Sequence, residues 1–323
     1  MTVWAGLFVV MAAMVILPPP ASSQGRKTIS KPDFPCGEPY GRNGELPERS
    51  RRKRQIVFPD EPKYADLLKV LFDASLTRSG KNVTGITEPN KSLCGATVIS
   101  DQFILTAGHC VSGSTKKISM VSLGDLDLTQ EGEENSRVAT YEVEGVFLHH
   151  IYSHDKPTRH HDVALIKTKT KIQFNDVVFP MCISDEIPPP GTIVVISGFG
   201  YYNATHQPVH LLEGNFTVMD TAECENIYKE HGHEPLLRIK YPNLLQGTDV
   251  ICAIDDVVDA CQGDSGGPVI REKNGKLFIE GVVSGGANCH GNFKSVLPGL
   301  YISIAKQIDF IDSHVYGSPA VVP

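Results

Sequence analysis

The chain has 323 residues, 41% of them apolar and 21% charged, a balance that fits one large or two smaller folded domains and excludes a disordered or fibrous class. Residues 1–55 carry nine Lys/Arg against four Asp/Glu, which leaves 21 against 33 for the remainder. An acidic body of this kind argues against a nucleic-acid partner.

In chain order, the first 25 residues contain no charged side chain. Trp4 to Leu17 is apolar but short for a bilayer span, and prolines and small residues up to Ser23 follow. This reads as a secretory signal over 1–23. A membrane anchor is the rival reading, disfavoured by the shortness of the run and its lack of basic flanks. Residues 24–55 are polar and rich in Pro, Gly and Arg, and end in ERSRRKRQIVFPDE, the pattern of a propeptide closed by a basic processing site. A catalytic domain is expected over 56–323, with a division near residues 180 and 181.

Eight cysteines (Cys36, Cys94, Cys110, Cys182, Cys224, Cys252, Cys261 and Cys289) without a CxxC spacing read as disulfides of an exported, extracellular chain rather than a zinc site. The pairing stays open at this point, because eight cysteines allow 105 connectivities. Sequons at Asn82, Asn90, Asn203 and Asn215 are candidate glycan sites.

After Ile56 the texture changes to short β-branched runs such as GATVISDQFILTA, TIVVISGFG and LFIEGVVSGG. Such runs predict an all-β barrel or sandwich. Only ISIAKQIDFIDSHVY has helical spacing, with Ile304, Ile308 and Ile311 on one face. Two stretches, 77–92 and 230–249, read as long loops.

The chemistry concentrates in DACQGDSGGPV, where Ser265 lies among glycines. A serine hydroxyl attacks only when a base takes its proton and backbone donors receive the developing negative oxygen. His109 in LTAGHCV is the candidate base, and Asp162 in RHHDVALIK the carboxylate that orients it. The order His, Asp, Ser differs from that of α/β-hydrolases, whose G-x-S-x-G pattern GDSGG also satisfies but whose serine comes first.

With TAGHC, HDVALIK, CQGDSGGPV, VVSGGANC and LPGLY, the chain resembles the chymotrypsin-like serine proteases over roughly residues 56–315. The resemblance implies two six-stranded antiparallel β-barrels with a C-terminal helix. It implies His109 as base, Asp162 as its orienting group, Ser265 as nucleophile, and the amides of Gly263 and Ser265 as oxyanion hole. It implies disulfides Cys94–Cys110, Cys224–Cys252 and Cys261–Cys289, with Cys36–Cys182 tethering the cleaved propeptide. Asp259 would form the floor of the primary pocket and Ser284, Gly286 and Gly299 its walls, favouring substrate Arg or Lys. Ile56, freed by cleavage, would pair with Asp264.

The implied partners are protein substrates, an activating convertase and protein protease inhibitors, with no nucleic acid and no membrane. Gln55 precedes Ile56 where a basic residue is usual, and Gly285 stands where the family places a tryptophan. No cofactor is required. HHIYSHDKPTRHH offers a zinc-binding or pH-sensing reading, and GDLDLTQEGEE a structural-calcium reading; solvated surface residues are the favoured explanation of both stretches, and no metal site is assigned. A catalytically silent homologue acting as a binding partner is the rival function.

Overall fold

Alternating side chains put one face of a strand into a core and the other outward, and the short β-branched runs of this chain do so in two sheets. The computed structural model describes residues 35–38, 74–78, 94–112, 118–125, 138–201, 206–255, 258–286 and 297–317. The signal and most of the propeptide, Ile56, Asn82, Asn90, Asn203, Cys289 and most of the acidic 124–134 stretch lie outside these residues.

The first sheet holds β1 (Ala74–Arg78), β2 (Thr97–Val98), β3 (Phe103–Thr106), β4 (Ile118–Leu123), β5 (Ala139–Leu148) and β6 (Ala164–Thr168), in the antiparallel order β1-β4-β5-β6-β3-β2. Its interior is built on Ile104, Leu105, Val121, Leu165 and Ile166, all sealed from solvent.

The second sheet holds β7 (Cys182–Ile183), β8 (Ile193–Gly198), β9 (Leu212–Met219), β10 (Val250–Ile254), β11 (Pro268–Lys273), β12 (Lys276–Gly285) and β13 (Gly299–Ser303). Its order is β11-β8-β9-β10-β13-β12-β7, and β11 also pairs with β12. Six strands therefore close into an antiparallel ring. β7 joins outside it, parallel to β12, a seventh strand that the six-stranded expectation lacks. Two residues give too little sequence to mark it.

The C-terminal helix starts later than its apolar spacing suggests. Ile304 lies in a 3-10 turn over Ile304–Lys306, and helix α4 spans Ile308–Val315. Its Phe310 and Ile311 join the core of the first sheet, so the chain end holds the two sheets together.

The stretch 230–249 is not an open loop. Helix α2 (Thr221–Glu230) begins at Asp220, whose carboxylate caps the Ala222 amide at 2.8 Å. Helix α3 (Glu234–Lys240) follows. The buried Glu225 carboxylate then accepts the amides of Leu245 and Gln246 at 2.7 and 3.1 Å. Tyr228, Leu237, Tyr241 and Leu245 pack around the Cys224–Cys252 disulfide. Apolar burial and satisfied amides make this a folded lobe beside β10.

Disulfides Cys36–Cys182, Cys94–Cys110 and Cys224–Cys252 are present. Cys261 is also disulfide-bonded, and Cys289, its expected partner, is not among the described residues. Around Cys36, the Gly37 amide donates to Pro180 O and Gly37 O accepts from Leu277 N, so residues 35–38 dock against the second sheet. No helix among the described residues is long and apolar enough to cross a membrane.

Candidate active site

Strand β3 delivers the chain directly into the one-turn helix α1 (Gly108–Val111), which carries His109. Cys110 is pinned to Cys94. Asp162 arrives from the turn before β6 and is fully buried. One of its oxygens accepts the His109 amide at 2.7 Å; the other accepts His109 Nδ1 and the Ser284 hydroxyl, both at 2.6 Å. A buried carboxylate in this position fixes the proton on Nδ1 and leaves Nε2 as the basic nitrogen.

Burial alone would raise the Asp162 pKa. Hydrogen bonds from His109 and Ser284, with the electrostatic attraction of the His109 ring and of Arg159 at 3.6 Å, outweigh it and hold the carboxyl below the usual range. Gly108 makes room for this contact: a Cβ there would stand 3.2 Å from Asp162 Oδ1.

The Ser265 turn meets this assembly through backbone. Ser265 O accepts the Gly95 amide at 2.8 Å and lies 3.6 Å from Cys110 Sγ, one residue from His109. Gly266 has φ +83°, and a Cβ on it would lie 2.4 Å from Gly95 O and 2.3 Å from Thr106 Oγ1. A Cβ on Gly95 would lie 2.8 Å from Gly267 Cα. The glycines after the serine are therefore where the two sheets touch main chain to main chain, which only residues without a side chain permit. Among the described residues the amides of Gly263 and Ser265 donate to no backbone carbonyl.

Asp264, beside the serine, is held from the other side. Its oxygens accept the Gly200 amide at 2.7 Å and the Cys261 amide at 2.8 Å. A Cβ on Gly198 or Gly200 would come within 2.1 and 2.3 Å of the carboxylate. Burial pushes its pKa up to about 6, against the two amide bonds. Its expected partner Ile56 is not among the described residues.

Gly286 and Gly299 face each other, a Cβ on Gly286 reaching Gly299 Cα at 3.8 Å. Below them lies Tyr301, whose hydroxyl would be 2.2 Å from a Cβ on Gly299. Burial raises the Tyr301 pKa well above normal, and the nearby Asp259 charge adds to it. The structure thus brings Gly286 and Gly299 together over Tyr301, with Asp259 near enough for its charge to act on that hydroxyl, and gives Ser284 a contact with Asp162. Sequence reasoning missed Tyr301, Gly95, Gly198 and Gly200, whose roles depend on contacts distant in sequence.

The histidine-rich stretch is also placed. His149 is buried and stacks on His150 and His161 at centroid distances of 4.5 and 4.4 Å. Burial first, then the neighbouring imidazoles, push its pKa down to about 4. His160 and His161 bond to Asp249 and Gln307. The one metal-sized grouping of Cys, His and carboxylate atoms among the described residues is Cys94, His109 and Cys110, and its two sulfurs are joined to each other. Asn215 is exposed on β9.

Residues 72–311 match the family model described as Trypsin. Vitamin K-dependent protein C of Oryctolagus cuniculus is 28% identical over 87% of this chain and 59% of its own length. Phenoloxidase-activating factor 3 of Holotrichia diomphalia is 30% identical over 69% of this chain and 64% of its own. The chain thus spans about three fifths of these curated relatives. A solved structure of neuropsin, a serine protease of mouse brain, shares the fold with a TM-score of 0.59 and 24% identity, covering 77% of this chain and 95% of that one.

Proposed function

Since the chain belongs to the trypsin family of serine proteases, we propose that it is a secreted endopeptidase, made as a zymogen, that cleaves protein substrates after Arg or Lys. The observation that carries this reading is the buried Asp162 carboxylate accepting His109 Nδ1 at 2.6 Å, with the Ser265 turn packed against the neighbouring residue. His109 Nε2 removes the Ser265 proton as Oγ attacks the carbonyl carbon of the peptide bond. The oxyanion receives the amides of Gly263 and Ser265. His109 then protonates the leaving amine, and water, deprotonated in the same way, releases the acid and restores Ser265.

Asp259 supplies the charge that a substrate guanidinium or ammonium would meet between Gly286 and Gly299. Asp264 supports a zymogen because its carboxylate, enclosed and bonded among the described residues to two amides, is favoured by an arriving cation. The Ile56 ammonium freed by cleavage near Arg54–Ile56 has that chemistry. An activating protease and protein inhibitors are the expected partners besides substrates.

The test pairs N-terminal sequencing of the mature chain with fluorophosphonate labelling and hydrolysis of arginyl and phenylalanyl amides. A terminus at Ile56, label on Ser265 and arginyl preference are expected. An activated chain that takes no label is a binding partner instead, and phenylalanyl preference removes the role given to Asp259.

A further inference from the structure

Two cations flank the proposed cleft in a body whose charge is otherwise acidic. Strand β12 ends at Ser284, bonded to Asp162, and the chain runs on through Gly285 to Gly286 at the pocket wall. A substrate that reaches both Ser265 and the pocket must run beside this stretch. Over it stands Lys240, the last residue of α3: its ammonium donates to Gly286 O at 3.0 Å and lies 3.5 Å from where a Gly285 Cβ would be. The absent side chain at Gly285 is what lets the ammonium in.

The second cation is Arg159. Its amide donates to Lys240 O at 2.9 Å, so the segments bearing the two charges are tied together. Its guanidinium is 30% exposed and 3.6 Å from Asp162, an oxygen already shared by His109 and Ser284. Other cations have partners of their own: Lys167 with Glu144, Arg238 with Glu234, Arg271 with Glu280. Among the described residues Lys240 forms no ion pair: its direct partner is the Gly286 carbonyl, and the Asp162 charge, already engaged by His109, Ser284 and Arg159, compensates it only in part.

We infer that Lys240 and Arg159 form a subsite for an acidic side chain of the substrate, Asp or Glu, within the few residues preceding the cleaved bond. This rests on the protease reading above and adds a second requirement to it. Burial lowers the Lys240 pKa, and the Arg159 charge lowers it further, against Asp162; a carboxylate brought in by substrate would offset both costs.

The experiment uses the full chain after activation cleavage and arginyl peptide amides carrying Glu or Gln at each of the three preceding positions. At one position Glu should exceed Gln in kcat/KM by about tenfold, mostly through KM. About 0.5 M salt should shrink that ratio to under about threefold. Lys240→Gln should bring the ratio near one, and Lys240→Glu should reverse it in favour of Gln at that position. Glu and Gln equal within about twofold at all three positions overturns the subsite, as does a ratio that survives salt and both substitutions. The wild-type salt series decides the matter even where a variant fails to fold. A chain that cleaves arginyl peptides but ignores Glu loses only this inference; one that neither cleaves nor takes fluorophosphonate loses the protease reading with it.

Discussion

Asp162 and Asp264 are two enclosed carboxylates of one site, and they are stabilised in opposite ways. Asp162 has an imidazole, a hydroxyl, an amide and a nearby guanidinium, and its pKa falls below the normal range. Asp264 has two backbone amides, and its pKa rises to about 6. Burial acts on both; the difference lies in the side-chain partners. The first carboxylate is complete as it stands. The second is half-satisfied, the condition in which an added cation has most effect.

The largest expected effect tests the complete one. Asp162→Asn should lower kcat by about 10⁴-fold, because an amide no longer fixes the His109 proton on Nδ1. KM should move far less, since the pocket residues are untouched. Steady-state kinetics on an arginyl amide checks this. A loss carried by KM would mean that Asp162 shapes binding rather than orients a base.

Next come the glycines that admit each carboxylate. A Cβ on Gly200 would lie 2.3 Å from Asp264, whereas one on Gly108 would lie 3.2 Å from Asp162 and 3.0 Å from Tyr152. Gly200→Ala must displace the Asp264 carboxyl from its amides and should cost about 3–4 kcal/mol. Gly108→Ala should cost about 1 kcal/mol, because its neighbours yield by small shifts. Chemical denaturation of both variants gives the comparison, and equal losses would erase it.

Protonation separates the pair a third way. A carboxyl raised from 3.8 to about 6 binds its proton more tightly folded than unfolded, so its contribution to stability declines as pH rises from about 4 to 6, by about 3 kcal/mol. Asp162, with a lowered pKa, contributes stability above about pH 4 that is lost on further acidification. Asp264→Asn in the uncleaved chain should therefore flatten this contribution to the pH 4–6 slope in thermal unfolding, on which His149, with its pKa near 4, acts in the opposite sense. Cleavage that brings an ammonium to Asp264 should flatten it as well. A slope indifferent to both would show that the carboxylate is already compensated.

The sequence showed these two aspartates unequally, and the same holds for the fold. The strand runs and the His109, Asp162 and Ser265 motifs are legible because chemistry and alternation confine them to a few adjacent residues. The lobe over 221–249 was not legible as helix. The buried residues of α2 are Cys224, Glu225 and Tyr228, too few apolar positions for a helical period. The capping pair Asp220 and Glu223 was a signal available in the sequence. Contacts such as Lys240 over Gly285, or Gly200 under Asp264, join residues dozens of positions apart, and only closure of the second sheet reveals them. The structure likewise turns the Gly285 departure from an absent wall into a space for a cation.

The smallest effect concerns the third donor to Asp162. The Ser284 hydroxyl is buried and 2.6 Å from the same oxygen that accepts His109 Nδ1. Ser284→Ala removes one of three hydrogen bonds without changing the charge or the two bonds to His109. The Asp162 pKa should then rise, since hydrogen bonds to the ionised form are part of what holds it down. An oxygen left with fewer donors orients the imidazole less firmly, and kcat should fall by about tenfold. If Ser284 serves Asp162, the acid limb of the kcat–pH profile should shift upward with KM nearly constant. If it serves substrate contact instead, KM should rise and the limb should stay in place. Because Asp264 shares no partner with Ser284, the pH 4–6 stability slope should be the same in this variant as in the parent chain.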